Sequence, residues 1–167
     1  MMRVSPNLRW LWLSAAVAVA DLGLKRLMED VLAEAPIRVL PVFNLALGYN
    51  RGVSFGVLAD IGGGQRWPLV VLTLTIAIAL VIWLVRLSPA GDTAVKTALA
   101  LIVGGAAGNA ADRIAFGHVT DFIQLHWQSW AWPTFNLADM AITCGAVILV
   151  MASGWGRREE TPSGGTT

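Results

Sequence analysis

Cysteine, charge and nucleophile–base pairs are what this sequence has least of. Its single cysteine, Cys144, can close no internal disulfide and belongs to no ligand cluster, so it reads as a small apolar filler. Charged residues make up 14% of the 167, against about 25% in an average soluble domain. Together with 56% hydrophobic residues, this scarcity points to a chain embedded in a membrane. The formal net charge is +1, and no basic surface argues for nucleic acid. There is no HExxH pattern and no internal repeat. No serine, cysteine or lysine stands beside a candidate base, and Ser54 has no histidine or lysine near it in sequence. The two histidines, His118 and His126, straddle Asp121, but that spacing matches no standard metal site.

Long apolar stretches are what the sequence does have. Trp67 to Val85 carries no charge for 19 residues, close to the ~20 needed to cross a bilayer. Three other stretches are clean over part of their length, and the spans read as roughly 8–27, 67–87, 96–115 and 137–155. A cleaved signal peptide is the alternative for the first, since Ala18-Val19-Ala20 resembles a cleavage site. Leu22, Leu24 and Leu27 extend its apolar face beyond that point and favour a span. Arg3, Arg9, Arg86, Lys96, Arg157 and Arg158 all fall on one side of a four-span arrangement, which the positive-inside rule makes cytoplasmic, with both termini. The eight tryptophans fall near span ends or in the outer loop, as an aromatic belt does. The length suits one domain, 1–156, followed by a small polar tail, 157–167, that reads as disordered.

In this topology the costly groups converge on one depth, near the outer surface. Asp21 and Lys25 lie toward the outer end of the first span and are spaced to pair on one helix face. Asp112 and Arg113 close the third span and read as a structural pair; Gly105 and Asn109 share their face. Gly104 and Gly108 fit close helix packing in lipid. Asn136 can cap the fourth helix, with Asp139 in its first turn. Asp121 sits in the outer loop after span three, and the tryptophan-rich stretch that follows reads as an interfacial turn. The apolar segment 37–58 lies outside the spans and reads as short strands or a curved ribbon punctuated by Gly48, Gly52 and Gly56, with Asn44 and Asn50 as polar handles.

Carboxylates are the chemistry that remains. Two aspartates held close in a poorly solvated site share one proton; the ionised member can take a proton from water while the protonated member polarises a peptide carbonyl. A helix N-terminus favours the charge on Asp139, so Asp139 is expected to be the ionised member and Asp121 the donor. On the residues alone, a proton-coupled transporter using Asp21, Lys25, Asp112 and Asp139 as a relay stays open, as does a non-enzymatic scaffold. Clustering of the charges at one depth disfavours the relay.

Five blocks in order, "DLGLK" at 21–25, "YNRGVSFGVL" at 49–58, "GGAAGNAADR" at 104–113, "GHVTDFI" at 117–123 and "FNLADMAI" at 135–142, closely resemble the lipoprotein signal peptidases (signal peptidase II). That resemblance implies a membrane all-α fold of four transmembrane helices with a small β-like periplasmic cradle between helices 1 and 2. It implies an aspartic endopeptidase of the bacterial inner membrane that cleaves prolipoproteins before the diacylglyceryl-modified lipobox cysteine. Its catalytic pair carries over to Asp121 and Asp139, and supporting positions to Asp21, Lys25, Asn50, Asn109, Asp112, Arg113, Asn136 and Ala138. It implies lipidated signal peptides and membrane lipids as partners; no cofactor, no metal and no nucleic acid are expected, and the chain is expected to be a monomer. Many members read T-G-A-A-F where this chain has Arg51 to Phe55, a departure that bears on substrate preference. "DLGLK" also lacks the threonine often found before the lysine.

Overall fold

A computed structural model describes residues 5–52, 64–128 and 130–155. Ser54 and the remainder of the 37–58 segment from residue 53, like the tail from 156, lie outside the described residues. Among the described residues, four long helices and four short strands follow in the order α1 (Leu11–Val31), β1 (Ile37–Leu40), β2 (Phe43–Asn50), α2 (Arg66–Arg86), α3 (Thr93–Phe116), β3 (Val119–Trp127), β4 (Trp130–Ala131) and α4 (Leu137–Trp155). A 3-10 turn, Pro6–Trp10, precedes α1.

Local chemistry sets the helix ends. Ser5 accepts from the Asn7 N–H and Pro6 follows it, a pattern suited to a helix start. Asp92 caps α3 by accepting from the Ala94 N–H at 2.8 Å. Gly117 stops α3: its φ of 79° is left-handed, and its N–H closes the helix onto the Arg113 carbonyl at 3.0 Å. The chain then turns directly into β3. At the other end of α2, the Asn7 amide donates to the carbonyls of Leu84 (3.1 Å) and Leu87 (2.8 Å), and Ser5 Oγ donates to that of Val85 (3.0 Å). These bonds satisfy carbonyls that the helix itself leaves open.

α3 is the central element and packs against α1, α2 and α4. Glycines permit its close crossings. A Cβ on Gly104 would sit 2.7 Å from the Ser14 carbonyl of α1 and 2.8 Å from Val17 Cβ. α4 reciprocates through Gly145, where a Cβ would meet the Ala98 carbonyl of α3 at 2.7 Å. Backbones approaching this closely are the usual small-residue packing of helices in lipid. Arg66–Arg86 and Thr93–Phe116 are long and apolar enough to cross a membrane, and Leu137–Ala152 is a shorter apolar helix. α1 runs unbroken through Ala18–Ala20 and is tied into the bundle by Ser14 Oγ, which donates to the Ala100 carbonyl at 2.8 Å.

The strands form one antiparallel sheet in the order β1-β2-β3-β4. Here the structure corrects the sequence reading. Strands were expected only between the first two helices, and 119–136 as a loop and turn. Instead β3 comes from the chain between α3 and α4, and it pairs with β2 in the register Gly48 to Asp121, Tyr49 to Thr120 and Asn50 to Val119. The run VTDFIQLHW is rich in β-branched and aromatic residues. Its apolar–polar alternation is broken because its first four residues are all buried, which hid the strand from a period-two reading.

Candidate active site

The site begins at the start of α4. Asn136 Oδ1 accepts from the Asp139 N–H at 2.9 Å, and Asp139 Oδ2 accepts from the Asn136 N–H at 3.3 Å. This reciprocal capping box sets the Asp139 carboxylate at the positive end of the helix. Its other oxygen accepts from Asn109 Nδ2 of α3 at 2.9 Å. The half-buried carboxylate thus rests among donors, an environment suited to a negative charge.

β3 brings Asp121 to the same place. Its partner across the sheet is Gly48, where any side chain would collide with Thr134 Oγ1, so the 133–136 segment can lie close over the strand. That segment is bonded to β3 by Ile123 N–H to the Phe135 carbonyl (2.9 Å) and Phe135 N–H to the Ile123 carbonyl (3.0 Å). Asn136 Nδ2 then donates to Asp121 Oδ1 at 2.6 Å. One asparagine therefore bonds both aspartates, Asp139 through its main chain and Asp121 through its amide. Asp121 is buried, and burial together with the nearby Asp139 charge pushes its carboxyl up from an ordinary 3.8 to about 7. The Asn136 bond and the positive charges of Lys25 and Arg113 offset part of that rise.

Behind the pair lies a buried polar cluster. Lys25 Nζ contacts Asp21 Oδ2 at 2.7 Å and Asp112 Oδ2 at 3.2 Å, and donates to Asn109 Oδ1 at 3.0 Å. Asp21 Oδ1 accepts from the Ala138 N–H at 2.8 Å, which docks α1 on the first turn of α4. Asn136 Nδ2 also lies 3.2 Å from Asn109 Oδ1. The expected Asp112–Arg113 pair is not what forms. Adjacent residues on a helix point to different sides, and Asp112 turns to Lys25, Arg26 (2.7 Å) and the Thr120 N–H (3.0 Å). Arg113 instead donates to the Gly52 carbonyl at 3.2 Å. It faces a cavity of about 190 Å³, lined also by Asn50, Gly52, Leu69, Thr73, Asn109, Val119 and Asp139. Asp139 stands on the cavity wall, and Asp121 does not line it.

The histidines are elsewhere. His126 Nε2 is 3.2 Å from Asn44 Oδ1, and His118 lies edge-on to the Tyr49 ring. Among the described residues no group of three or more His, Cys, Asp or Glu could hold a metal ion. Sequence reasoning passed over Leu69 and Thr73 of the cavity wall, and Arg26, Glu29 and Thr120 beside the cluster. Glu29 had a signal, since Asp21, Lys25 and Glu29 are spaced four apart on one helix face.

A family model described as signal peptidase (SPase) II matches residues 13–155. The lipoprotein signal peptidase of Pseudomonas fluorescens strain Pf0-1 is 48% identical over 148 residues, covering 87% of this chain and 86% of that protein. The lipoprotein signal peptidase of Pseudomonas aeruginosa strain PAO1 is 46% identical over 148 residues, covering 87% of each. Among solved structures, a bacterial membrane enzyme determined at 2.3 Å superposes with a TM-score of 0.74 and 25% identity, covering 92% of this chain and 94% of that one.

Proposed function

The chain belongs to the signal peptidase II family, and from that premise we propose that Asp121 and Asp139 are the carboxylate pair with which it removes signal peptides from bacterial prolipoproteins. The enzyme is a peptide hydrolase of the aspartic class. The observation that carries the assignment is Asn136, which bonds Asp139 through its N–H and Asp121 through its amide. Asp139, among donors at a helix N-terminus and open to the cavity, is suited to take a proton from the attacking water. Asp121, buried and pushed up to about 7, is suited to hold one.

In that reading the water oxygen attacks the scissile carbonyl carbon as Asp139 accepts its proton. Asp121 donates to the carbonyl oxygen, and a tetrahedral diol forms. The carbon–nitrogen bond then breaks as Asp139 passes its proton to the leaving amine and the diol returns a proton to Asp121. Lys25, Asp21, Asn109 and Asp112 hold the frame, with Ala138 docked by Asp21. Asn50 and Arg113 border the space for the peptide. The bond cut is the one before the diacylglyceryl-modified lipobox cysteine.

The same proposal has the four helices spanning a bacterial inner membrane, both termini cytoplasmic and the pair near the periplasmic face. The lysine and arginine distribution supports this. A single peptidase domain, 1–156, then acts as a monomer among membrane lipids, with 157–167 a disordered tail. The test is purified protein in detergent with a diacylglyceryl-modified prolipoprotein, with and without chelator. Cleavage should persist with chelator and fall by about 10²–10⁴-fold in Asp121→Asn and in Asp139→Asn. Full activity in either variant would remove the pair from the chemistry.

A further inference from the structure

The buried cluster continues past the residues so far given a role, in a chain of groups of alternating charge. It starts at the Ala138 N–H, which donates to Asp21. From Asp21 it passes to Lys25 (2.7 Å), Asp112 (3.2 Å), Arg26 (2.7 Å) and Glu29 (2.5 Å). It ends on Thr120, whose Oγ1 donates to Glu29 Oε1 at 2.8 Å. Ala138 immediately precedes Asp139, and Thr120 immediately precedes Asp121. One chain of charges, most of it on α1, thus holds the residue before each aspartate.

We infer that Arg26, Glu29 and Thr120 are positioning residues for Asp121, forming the half of this chain that fixes strand β3 against α1. The inference rests on the reading of Asp121 as catalytic. Three features carry it. Every polar group of Thr120 is engaged: its N–H with Asp112 (3.0 Å), its hydroxyl with Glu29 and its carbonyl with Asn136 Nδ2 (3.4 Å). Thr120 is fully buried, so a lost partner is not replaced by water. Successive strand residues point to opposite faces. Anchoring Thr120 toward α1 therefore fixes the rotation that aims Asp121 at Asn136. Arg26 is itself held in place by stacking over the Phe116 ring, 4.1 Å from its centroid.

The consequence is kinetic, because a small misplacement of a reacting group costs rate more than binding. Thr120→Val keeps the β-branched shape and removes the hydroxyl. With the full chain in detergent and a lipidated substrate, it should lower kcat about tenfold and leave KM within about twofold. Thr120→Ser should restore kcat. Glu29→Ala should lower kcat as Thr120→Val does, and the double variant should lose no more than either single one. Ser14→Ala removes another buried hydroxyl between α1 and α3 and should lower Tm without changing kcat. Wild-type kcat in Thr120→Val and Glu29→Ala, multiplying losses, failed rescue by serine, or an equal kcat loss in Ser14→Ala would each overturn the inference. Asp121→Asn in the same assay separates the two ideas. If it is inactive while Thr120→Val is normal, only the positioning chain fails; if it is active, the assignment of Asp121 itself fails.

Discussion

Helices α2 and α3 lie side by side and invert the rule of soluble cores. α2 is the more apolar, yet only 17% of its most apolar stretch is buried; α3 is less apolar, and 61% of the corresponding stretch is buried. Val71, Leu72, Ile76 and Ile78 of α2 point outward, while α3 turns inward Lys96, Asn109 and Asp112 together with its glycines. In water this would be an inside-out protein. Against lipid tails, apolar side chains gain nothing by leaving the solvent, and polar groups and close backbones hold helices together instead. In this molecule apolarity therefore marks the outer face, and polarity marks the path to the site.

The contrast can be broken most severely at Lys25. Lys25→Met leaves Asp21 and Asp112 buried without their shared cation, and should cost about 3–5 kcal/mol, read as a lower Tm in detergent. A midpoint close to wild type would show that the polar side of α3 is not what holds the bundle.

A pH effect of a few kcal/mol should come next. Asp121 holds its proton up to about pH 7 when folded, against an ordinary 3.8. Its contribution to stability is therefore full below roughly pH 4 and lost as pH rises through about 7. Unfolding midpoints between pH 4 and 8 should fall on this account, and Asp121→Asn should flatten the slope. An unchanged slope in that variant would place its origin in another group.

The smallest effects set the two helices against each other directly. Gly104→Val forces a side chain against the Ser14 backbone and should cost about 1–3 kcal/mol. Leu72→Ala on the outward face of α2 should stay within about 0.5 kcal/mol. Equal losses at the two positions would erase the distinction.

Helix α2 was legible in the sequence because a charge-free stretch of bilayer length has few other uses, and the other three helices from apolar stretches that are clean over part of their length. The resemblance in the blocks at 117–123 and 135–142 carried the catalytic pair over to Asp121 and Asp139, while the residues alone left a proton relay through Asp21, Lys25, Asp112 and Asp139 open. What stayed hidden depends on segments far apart in the chain. Residues 43–50 and 119–127 pair in one sheet although α2 and α3 separate them in the chain. The Arg26–Asp112 and Glu29–Thr120 contacts join positions 86 and 91 residues apart. Periodicity reports a helix's own faces and is silent on which remote group meets them. For the same reason the expected Asp112–Arg113 partnership, read from adjacency, gave way to contacts with α1.

Gly117 makes counting matter. α3 stops there, and Asp121 follows after only three intervening residues, Val119 among those paired in register with β2. Strand side chains alternate, so parity decides which way Asp121 points. One residue gained or lost between Gly117 and Asp121 would turn the carboxylate away from Asn136 and present its neighbour instead. A two-residue change would restore the face and shift the depth by one strand repeat, so length variation among relatives of this chain should be forbidden here and tolerated beyond Trp127, where the hairpin to β4 no longer sets the direction of Asp121.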